Sequence, residues 1–333
     1  MTRTLLVDGN SLLNTGFHGI KNMYNGDDHI GGLYHFLNTL RKHIDLYLLN
    51  KVVVFWDGKN NTHPRTQLYP HYKLNRKTKV KSPESIQSYN KQKIRVQEYL
   101  EELYVRQASY DLCEADDCIA YYCKESQDKE IIVLTSDRDL LQVISPKVSV
   151  HILSLNKQFR YGDKVPLNGI LIPHTNVRLV KTICGDSSDN IKGIKMVGIK
   201  SLSKIEPKIL KEEVKLETLL KVIRDKDKLT KKEENILKGT TNSDISGPEI
   251  LDINFEIIGA GEKFLTIEAQ TNIIELSHEA IDPEGRHWKH ALNLMMSDGI
   301  LNILPKRDDA WVEFIKPFLR LSRIEKDFYK YKT

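Results

Sequence analysis

Four short apolar runs punctuate the first half of the chain. Residues 3–8, 51–56, 130–135 and 148–153 are rich in Val, Ile and Leu and bounded by turn residues, the pattern of buried strands. Between them the period lengthens. From Gly31 to Leu49, apolar side chains fall at Leu33, Phe36, Leu37, Leu40, Ile44 and Leu48, close to a helical repeat. Lys91 to Leu103 and Asp116 to Lys124 predict helices too. Strand alternating with helix predicts an α/β fold whose central sheet is mostly parallel and covered by helices on both faces. Farther on, Asn176 to Cys184 predicts a short amphipathic helix. A tight turn bounded by Gly193 and Gly198 follows, then a second helix to about residue 205. Residues 206–240 alternate Lys and Glu and predict exposed helices. Ile250 to Ile273 predicts short strands around Gly259 and Gly261. His287 to Leu304 and Trp311 to Tyr331 predict helices. The chain therefore divides into 1–175, 176–240 and a mainly helical 241–333 of unassigned role.

The strand-like runs share one ending. Asp8 closes the first, Asp57 the second, and Asp137 and Asp139 follow the third. Glu114-Ala115-Asp116-Asp117 lies between, and Gly185-Asp186-Ser187-Ser188-Asp189-Asn190 comes later. In an open α/β sheet the carboxyl ends of neighbouring strands converge on one crevice. Nine carboxylates would then meet at a single site, tolerable as anions only with divalent cations between them. Oxygen-only ligation selects hard metals such as magnesium or manganese. Taken singly, each acid has an ordinary explanation: a strand-end turn for Asp8 and Asp57, a helix first turn for Glu114 and Asp117, a cap for Asp137, Asp139, Asp186 and Asp189. The same accident would have to recur at five loops on one sheet edge. A haloacid-type phosphatase would want a second Asp two residues after Asp8, where Asn10 stands.

Charge sharpens this picture. The 333 residues carry 50 Lys and Arg against 45 Asp and Glu, a net +5. With nine acids focused inward, the remaining surface is much more positive, which suits a polyanionic substrate. Residues 62–95 hold nine basic residues against the single acid Glu84, with Tyr69, Tyr72 and Tyr89 among them. Such a long insertion suits a single-stranded backbone and its bases. The glycine-bounded turn near Ile194 to Ser201 suits a duplex phosphate backbone. No apolar run approaches the roughly 18 residues that span a bilayer, and Met1-Thr2-Arg3 leads straight into a strand, so the expectation is a cytoplasmic protein (host cytoplasm if viral) without membrane association. Cys113, Cys118, Cys123 and Cys184 form no CxxC pair and are expected to be free thiols.

Taken together, the wording of these segments resembles the 5′-nuclease family, which includes flap endonucleases, bacteriophage 5′–3′ exonucleases and the N-terminal domain of bacterial DNA polymerase I. The resemblance rests on Leu6-Val7-Asp8-Gly9-Asn10, Phe55-Trp56-Asp57-Gly58, Tyr69-Pro70-His71-Tyr72-Lys73-Leu74-Asn75-Arg76, Glu114-Ala115-Asp116-Asp117, Thr135-Ser136-Asp137-Arg138-Asp139 and Gly185-Asp186-Ser187-Ser188-Asp189-Asn190, with Gly193 and Gly198. It covers roughly residues 3–205, and it implies a free-standing, phage-type member, since the chain is too short to carry a polymerase. By position it implies that Asp8, Asp57, Glu114 and Asp116 form or support one metal site and that Asp137, Asp139, Asp186 and Asp189 form the other, with Asp117 nearby. It implies a two-magnesium phosphodiesterase (manganese able to substitute) with Lys73 and Arg76 as catalytic cations. Tyr72, Lys73 and Arg76 would begin a helical arch that continues through Lys77, Lys79 and Lys81, with Arg65 also facing DNA. Gly193, Lys195, Gly198, Lys200 and Ser201 would form a helix-turn-helix grip on duplex DNA, which in some members binds potassium. The family's turn has Pro after its first Gly, whereas Ile194-Lys195 follow Gly193 here, which bears on the potassium site. The implied partners are flapped or nicked DNA, RNA–DNA hybrids, and a sliding clamp or single-strand-binding protein, with the chain a monomer. A short stripe of Leu321, Ile324, Phe328 and Tyr329 is the only clamp-like feature, and helix packing explains it better. A ribonuclease of the PIN-like class and a non-catalytic DNA-binding relative are the alternatives.

Overall fold

The structure is a computed structural model that describes residues 3–77 and 82–332. Its centre is a six-stranded sheet of β1 (Arg3–Asp8), β2 (Lys51–Asp57), β3 (Arg106–Tyr110), β4 (Glu130–Thr135), β5 (Val148–Ile152) and β6 (Lys157–Phe159), in the order β3-β2-β1-β4-β5-β6. All neighbours are parallel except β5 and β6. The sheet winds outward both ways from β1, so the strand order reverses beside it, which is where α/β sheets open a crevice. Register brings the strand ends level: Asp8 pairs with Phe55, and Asp57 with Tyr110.

Each strand is apolar on both faces because both faces are covered. Leu5, Val7, Val52, Val54 and Trp56 pack into one core under α1 (Gly9–Gly19), α2 (Gly31–Leu46) and α3 (Pro83–Glu102). Leu6, Val53, Phe55, Ile131 and Val133 pack into the other, under α4 (Ala115–Glu125). Cys113, Cys118 and Cys123 are buried in that second core as free thiols, and Cys184 is half-buried and also free.

The second half of the chain closes over both layers. The α5 helix (Val177–Cys184) and α6 (Ile199–Ile205) flank the glycine-bounded turn as expected. The segment expected to hold strands is helical instead: α7 (Ile250–Ile258), a 3-10 turn at Glu262–Phe264, and α8 (Ile267–His278). Ile250, Leu251, Ile257 and Ile258 are all buried, a spacing that fits a helix face; Gly259 ends α7 and Gly261 begins the 3-10 turn, so neither bends a strand. α7 lies on α5, and α8 on α4. On the far face α9 (Ala310–Lys332) packs on α2. Leu321 is fully buried there, so the C-terminal apolar stripe begins as packing. Among the described residues no helix is long and apolar enough to cross a membrane.

Candidate active site

The carboxyl edge of the sheet gathers the acids. Asp8 ends β1 and caps α1, accepting a hydrogen bond from Ser11 N–H at 2.9 Å. Asp57 ends β2 and is held from both sides: Asn10 Nδ2 donates at 2.6 Å, and the Ala115 N–H, at the start of α4, donates at 3.0 Å. Thr135, at the end of β4, joins two of the acids. Its hydroxyl donates to Asp8 at 3.3 Å and accepts from the Asp137 N–H at 2.9 Å. Asp137 in turn accepts from the Asp139 N–H at 2.8 Å. Glu114 is the N-cap residue of α4, with Asp116 and Asp117 in its first turn, where the helix dipole favours anions.

The last two acids sit on a loop set by close backbone approach. Gly185 has φ 79°, and a Cβ on Gly193 would lie 2.2 Å from the Cys184 carbonyl oxygen, so the Gly185–Asp186/Ile191–Lys192 hairpin can form only with glycine at both ends. Residues 71–76 clamp that loop. The Lys73 N–H donates to the Asp189 carbonyl at 2.9 Å, Asn190 Nδ2 to the His71 carbonyl at 2.8 Å, and Asn75 Nδ2 to the Ser187 carbonyl at 2.9 Å.

Cations from the chain itself face this cluster. Lys73 Nζ donates to Glu114 at 2.6 Å and lies 3.8 Å from Asp189, while Arg76 meets Asp189 at 2.6 Å. Lys181, from α5, contacts Asp186 at 2.7 Å and also reaches Asp139. Burial disfavours the Lys73 ammonium, yet Glu114 and Asp189 hold its pKa above the ordinary lysine value. Asp186 behaves in the opposite sense: burial is outweighed by Lys181 and two Ser188 hydrogen bonds, and its pKa falls.

Asp8, Asp116 and Asp137 are under strain of charge. Burial first, then repulsion from Asp57 and Asp137, lifts Asp8 to about 7. Asp116 is raised well above the ordinary range by burial and by Asp8 and Asp137. Asp137 is raised by burial, with Lys181 partly opposing it. One Asp116 oxygen is buried with no hydrogen-bond partner. Beside it lies a cavity of about 20 Å³ lined by Tyr72, Glu114, Asp116, Asp139 and Asp189. That space suits one water-sized occupant. As the side chains stand, no three His, Cys, Asp or Glu groups among the described residues enclose an ion. The donor chemistry nonetheless fits a hard divalent cation: oxygen ligands only, one of them unpartnered, and like charges that a dication would offset.

Three expectations change on contact with the structure. Asp117 is fully buried, and Arg65 meets it through two bonds of 2.5 and 2.8 Å, with the Gly261 N–H adding a third at 3.0 Å. Its carboxylate is taken up by these bonds, which make it a structural anchor. Arg65, expected at the DNA surface, is only 4% exposed and also bonds Glu114 and the Ile257 and Gly259 carbonyls. Tyr72, expected to contact DNA, is buried, and its hydroxyl donates to Glu114 at 2.8 Å and contacts Asp189 at 3.2 Å. All three have the same cause: a buried acid needs a donor, and the insertion supplies it. Lys195, Gly198 and Lys200 are exposed on the turn, and Gly193 and Ser201 are half-buried. Lys77 closes the short helix Leu74–Lys77, and Lys79 and Lys81 lie outside the described residues. Lys181 went unread in the sequence. Its only signal is a lysine five positions before Asp186, in a helix that otherwise reads as packing.

A family model for the 5′-3′ exonuclease N-terminal resolvase-like domain matches residues 3–165. The 5′-3′ exonuclease of Halalkalibacterium halodurans is 30% identical over 267 residues, 76% of this chain and 84% of the relative. The chain belongs to the 5′–3′ exonuclease family. As a member it is a phosphodiester-hydrolysing 5′ nuclease. The Bacillus subtilis 5′-3′ exonuclease is 31% identical and is spanned over 69% of its length. DNA polymerase I of Thermus thermophilus is 30% identical but is spanned over only 25% of its length. Among solved structures, T5 5′-exonuclease with bound divalent metal ions (zinc) superposes with a TM-score of 0.65 at 19% identity, covering 83% of this chain and all of that one. The mixed sheet, its winding and the helices on both faces are therefore the fold shared with that exonuclease.

Proposed function

We propose that this exonuclease-family member is a structure-specific 5′ nuclease acting on 5′-ended or flapped DNA through two divalent cations, magnesium being the natural pair. The observation that carries the reading is the convergence of Asp8, Asp57, Glu114, Asp116, Asp137, Asp139, Asp186 and Asp189 on one sheet edge, with Lys73 and Arg76 at its rim. Asp8, Asp57, Glu114 and Asp116 would hold one cation, and Asp137, Asp139, Asp186 and Asp189 the other. Bound dications lower the pKa of coordinated water and offset charge on the leaving oxygen. Lys73, kept charged by Glu114 and Asp189, would meet the scissile phosphate in an electrostatic role. Arg76, with 55% of its side chain exposed, would meet the entering strand. No histidine lies among these groups; a bound dication, by lowering the pKa of its water, would let hydroxide form by loss of a proton to solvent without a histidine base. Products would carry a 5′ phosphate and a 3′ hydroxyl. The exposed lysines of the glycine turn would hold the adjoining duplex, with a potassium ion there as a family expectation, and RNA primers paired to DNA would be a second substrate.

The test is product sizing on a labelled 5′ flap with and without magnesium. Asp137→Asn and Asp139→Asn are expected to abolish cleavage while DNA binding persists, and full magnesium-dependent turnover in both would refute the assignment. Lys73→Ala is expected to slow cleavage by about 10²-fold or more, the scale of removing one charge-stabilising donor. A rate within twofold of the wild type would place the phosphate-facing cation elsewhere. Preferential cleavage of structured RNA would instead select the ribonuclease reading.

A further inference from the structure

The turn before α6 contains a residue in the wrong conformation for its type. The Val197 N–H donates to the Ile194 carbonyl at 3.0 Å, closing a four-residue turn with Lys195 and Met196 in the middle. Met196 has φ 67°, and Lys195 is not left-handed, the geometry of a type II turn. Its third position calls for positive φ and is ordinarily filled by glycine, because a Cβ there crowds the backbone. The loop is rigidly tied around it. The Ile194 N–H bonds the Ile183 carbonyl at 2.7 Å, the Lys195 N–H bonds the Thr240 carbonyl at 2.8 Å, and Asn235 Nδ2 bonds the Lys195 carbonyl at 3.0 Å. Ile194, Val197 and Ile199 point inward and are 3 to 6% exposed, whereas Met196 is 57% exposed. An apolar side chain is thus held more than half exposed, on a backbone conformation that costs it energy.

Two residues on, the pattern inverts. Gly198 has ordinary extended angles, φ −106° and ψ 174°, which any residue adopts. A Cβ there would meet nothing within 4 Å. Nothing within the chain calls for glycine at that point, and its missing side chain leaves the backbone open to close approach from outside. Lys192, Lys195 and Lys200 are exposed around both residues. The surface is therefore a bare backbone step beside an apolar tip, with three exposed lysines within six residues of them in the chain.

We propose that Met196 is a duplex-contacting side chain that sets preference for paired DNA, its thioether packing against the deoxyribose edges of the minor groove while the surrounding lysines meet the flanking phosphates. Polyanion contact accounts for the lysines but not for an exposed thioether, which water does not favour and phosphate cannot use. Sugar edges are an apolar surface within reach of a phosphate-docked turn, and methionine is among the apolar side chains that minor-groove proteins turn toward DNA. The inference rests on the 5′-nuclease reading above, which puts duplex against this turn.

The test is fluorescence-anisotropy binding, in EDTA to prevent cleavage, to a 5′-flapped duplex and to a single-stranded oligonucleotide of the same length. Met196→Gly and Met196→Ala are both expected to weaken duplex binding about three- to tenfold, the scale of a partly buried methionine, with single-strand binding within twofold of the wild type. Met196→Leu is expected to keep wild-type affinity. The melting temperature of Met196→Gly should equal or exceed that of the wild type, since glycine is at ease with positive φ. Duplex affinities of both truncations within twofold of the wild type would overturn the proposal. So would an equal loss on single strands, or a loss in Met196→Gly alone, which would implicate turn geometry rather than the side chain. A wild-type protein that neither cuts the flap with magnesium nor prefers duplex would instead sink the parent reading.

Discussion

At the scale of single residues, the insertion after β2 divides its cations between two tasks. Lys73 and Arg76 stay at the rim of the acidic cluster, whereas Arg65 is swallowed whole, with its guanidinium spread over Asp117, Glu114 and two carbonyls. A buried guanidinium keeps its charge here because Asp117 outweighs the cost of burial, which by itself lowers its pKa. Such a pair is weak as a net source of stability but severe when broken, since one partner is left charged and dry. Arg65→Ala is therefore expected to cost about 3–5 kcal/mol in denaturant unfolding. A loss below about 1 kcal/mol would mean that Asp117 takes up a proton, or water, without difficulty. The sequence could not separate the two tasks. Arg65 and Arg76 stand in the same basic, proline-broken stretch, and only their distance from α4 in space distinguishes them.

At the scale of elements, legibility followed burial. β1, β2, β4 and β5 were readable because both of their faces are covered, which leaves unbroken apolar runs. β3, reading Arg-Gln-Ala-Ser-Tyr, carries no clear strand signal because it is an edge strand with mixed exposure, its outer flank unpaired among the described residues. The α7 segment reads as strand as readily as helix because its apolar pairs, Ile250-Leu251 and Ile257-Ile258, lie seven residues apart. Its neighbours decide the matter. Asn254 Nδ2 bonds the Thr182 and Lys192 carbonyls, bracing α7 against the acidic hairpin. The carboxylates were legible as a set because they terminate elements, but their partner Lys181 lies mid-helix, where no periodicity marks it. One element contact also carries a pH response. His151 on β5 meets His43 of α2 edge-on at 4.7 Å and bonds Tyr47 at 2.8 Å. Burial first, and His43 second, pushes His151 down to about 4 from 6.5. Between these values the unfolded chain binds the proton and the folded chain does not, so stability is full above about 6.5 and falls as pH drops towards 4. His151→Asn, which keeps an amide for Tyr47 but cannot titrate, is expected to lose less melting temperature between pH 6.5 and 5 than the wild type. Parallel losses would assign the acid sensitivity elsewhere.

For the whole molecule, the acidic focus costs stability, and on the proposed two-cation reading a bound dication would offset that cost. Asp116 has a raised folded-state pKa and an ordinary one, 3.8, when unfolded. The sign is therefore opposite to that of a salt-bridged acid. Above 3.8 the unfolded chain ionises freely, while the folded chain must either keep a proton or bear the repulsion of Asp8 and Asp137, so the penalty grows as pH rises. At neutral pH without metal, Asp116→Asn is expected to raise the melting temperature, and the gain should vanish near pH 3.8 and below, where both chains are neutral at that position. Dications that bind only the folded state stabilise it by mass action, about 2.7 kcal/mol at a hundredfold excess over the dissociation constant. Magnesium should thus raise the melting temperature of the wild type and raise that of Asp116→Asn much less. The two curves, one variant better without metal and worse with it, should cross as magnesium is titrated in. Thermal scans in EDTA and across a magnesium series read this directly, with no substrate present. A variant that is less stable in EDTA than the wild type would show that Asp116 is already neutralised within the protein, by Lys73 or its neighbours, and that the acids of this crevice do not depend on an outside cation to sit together.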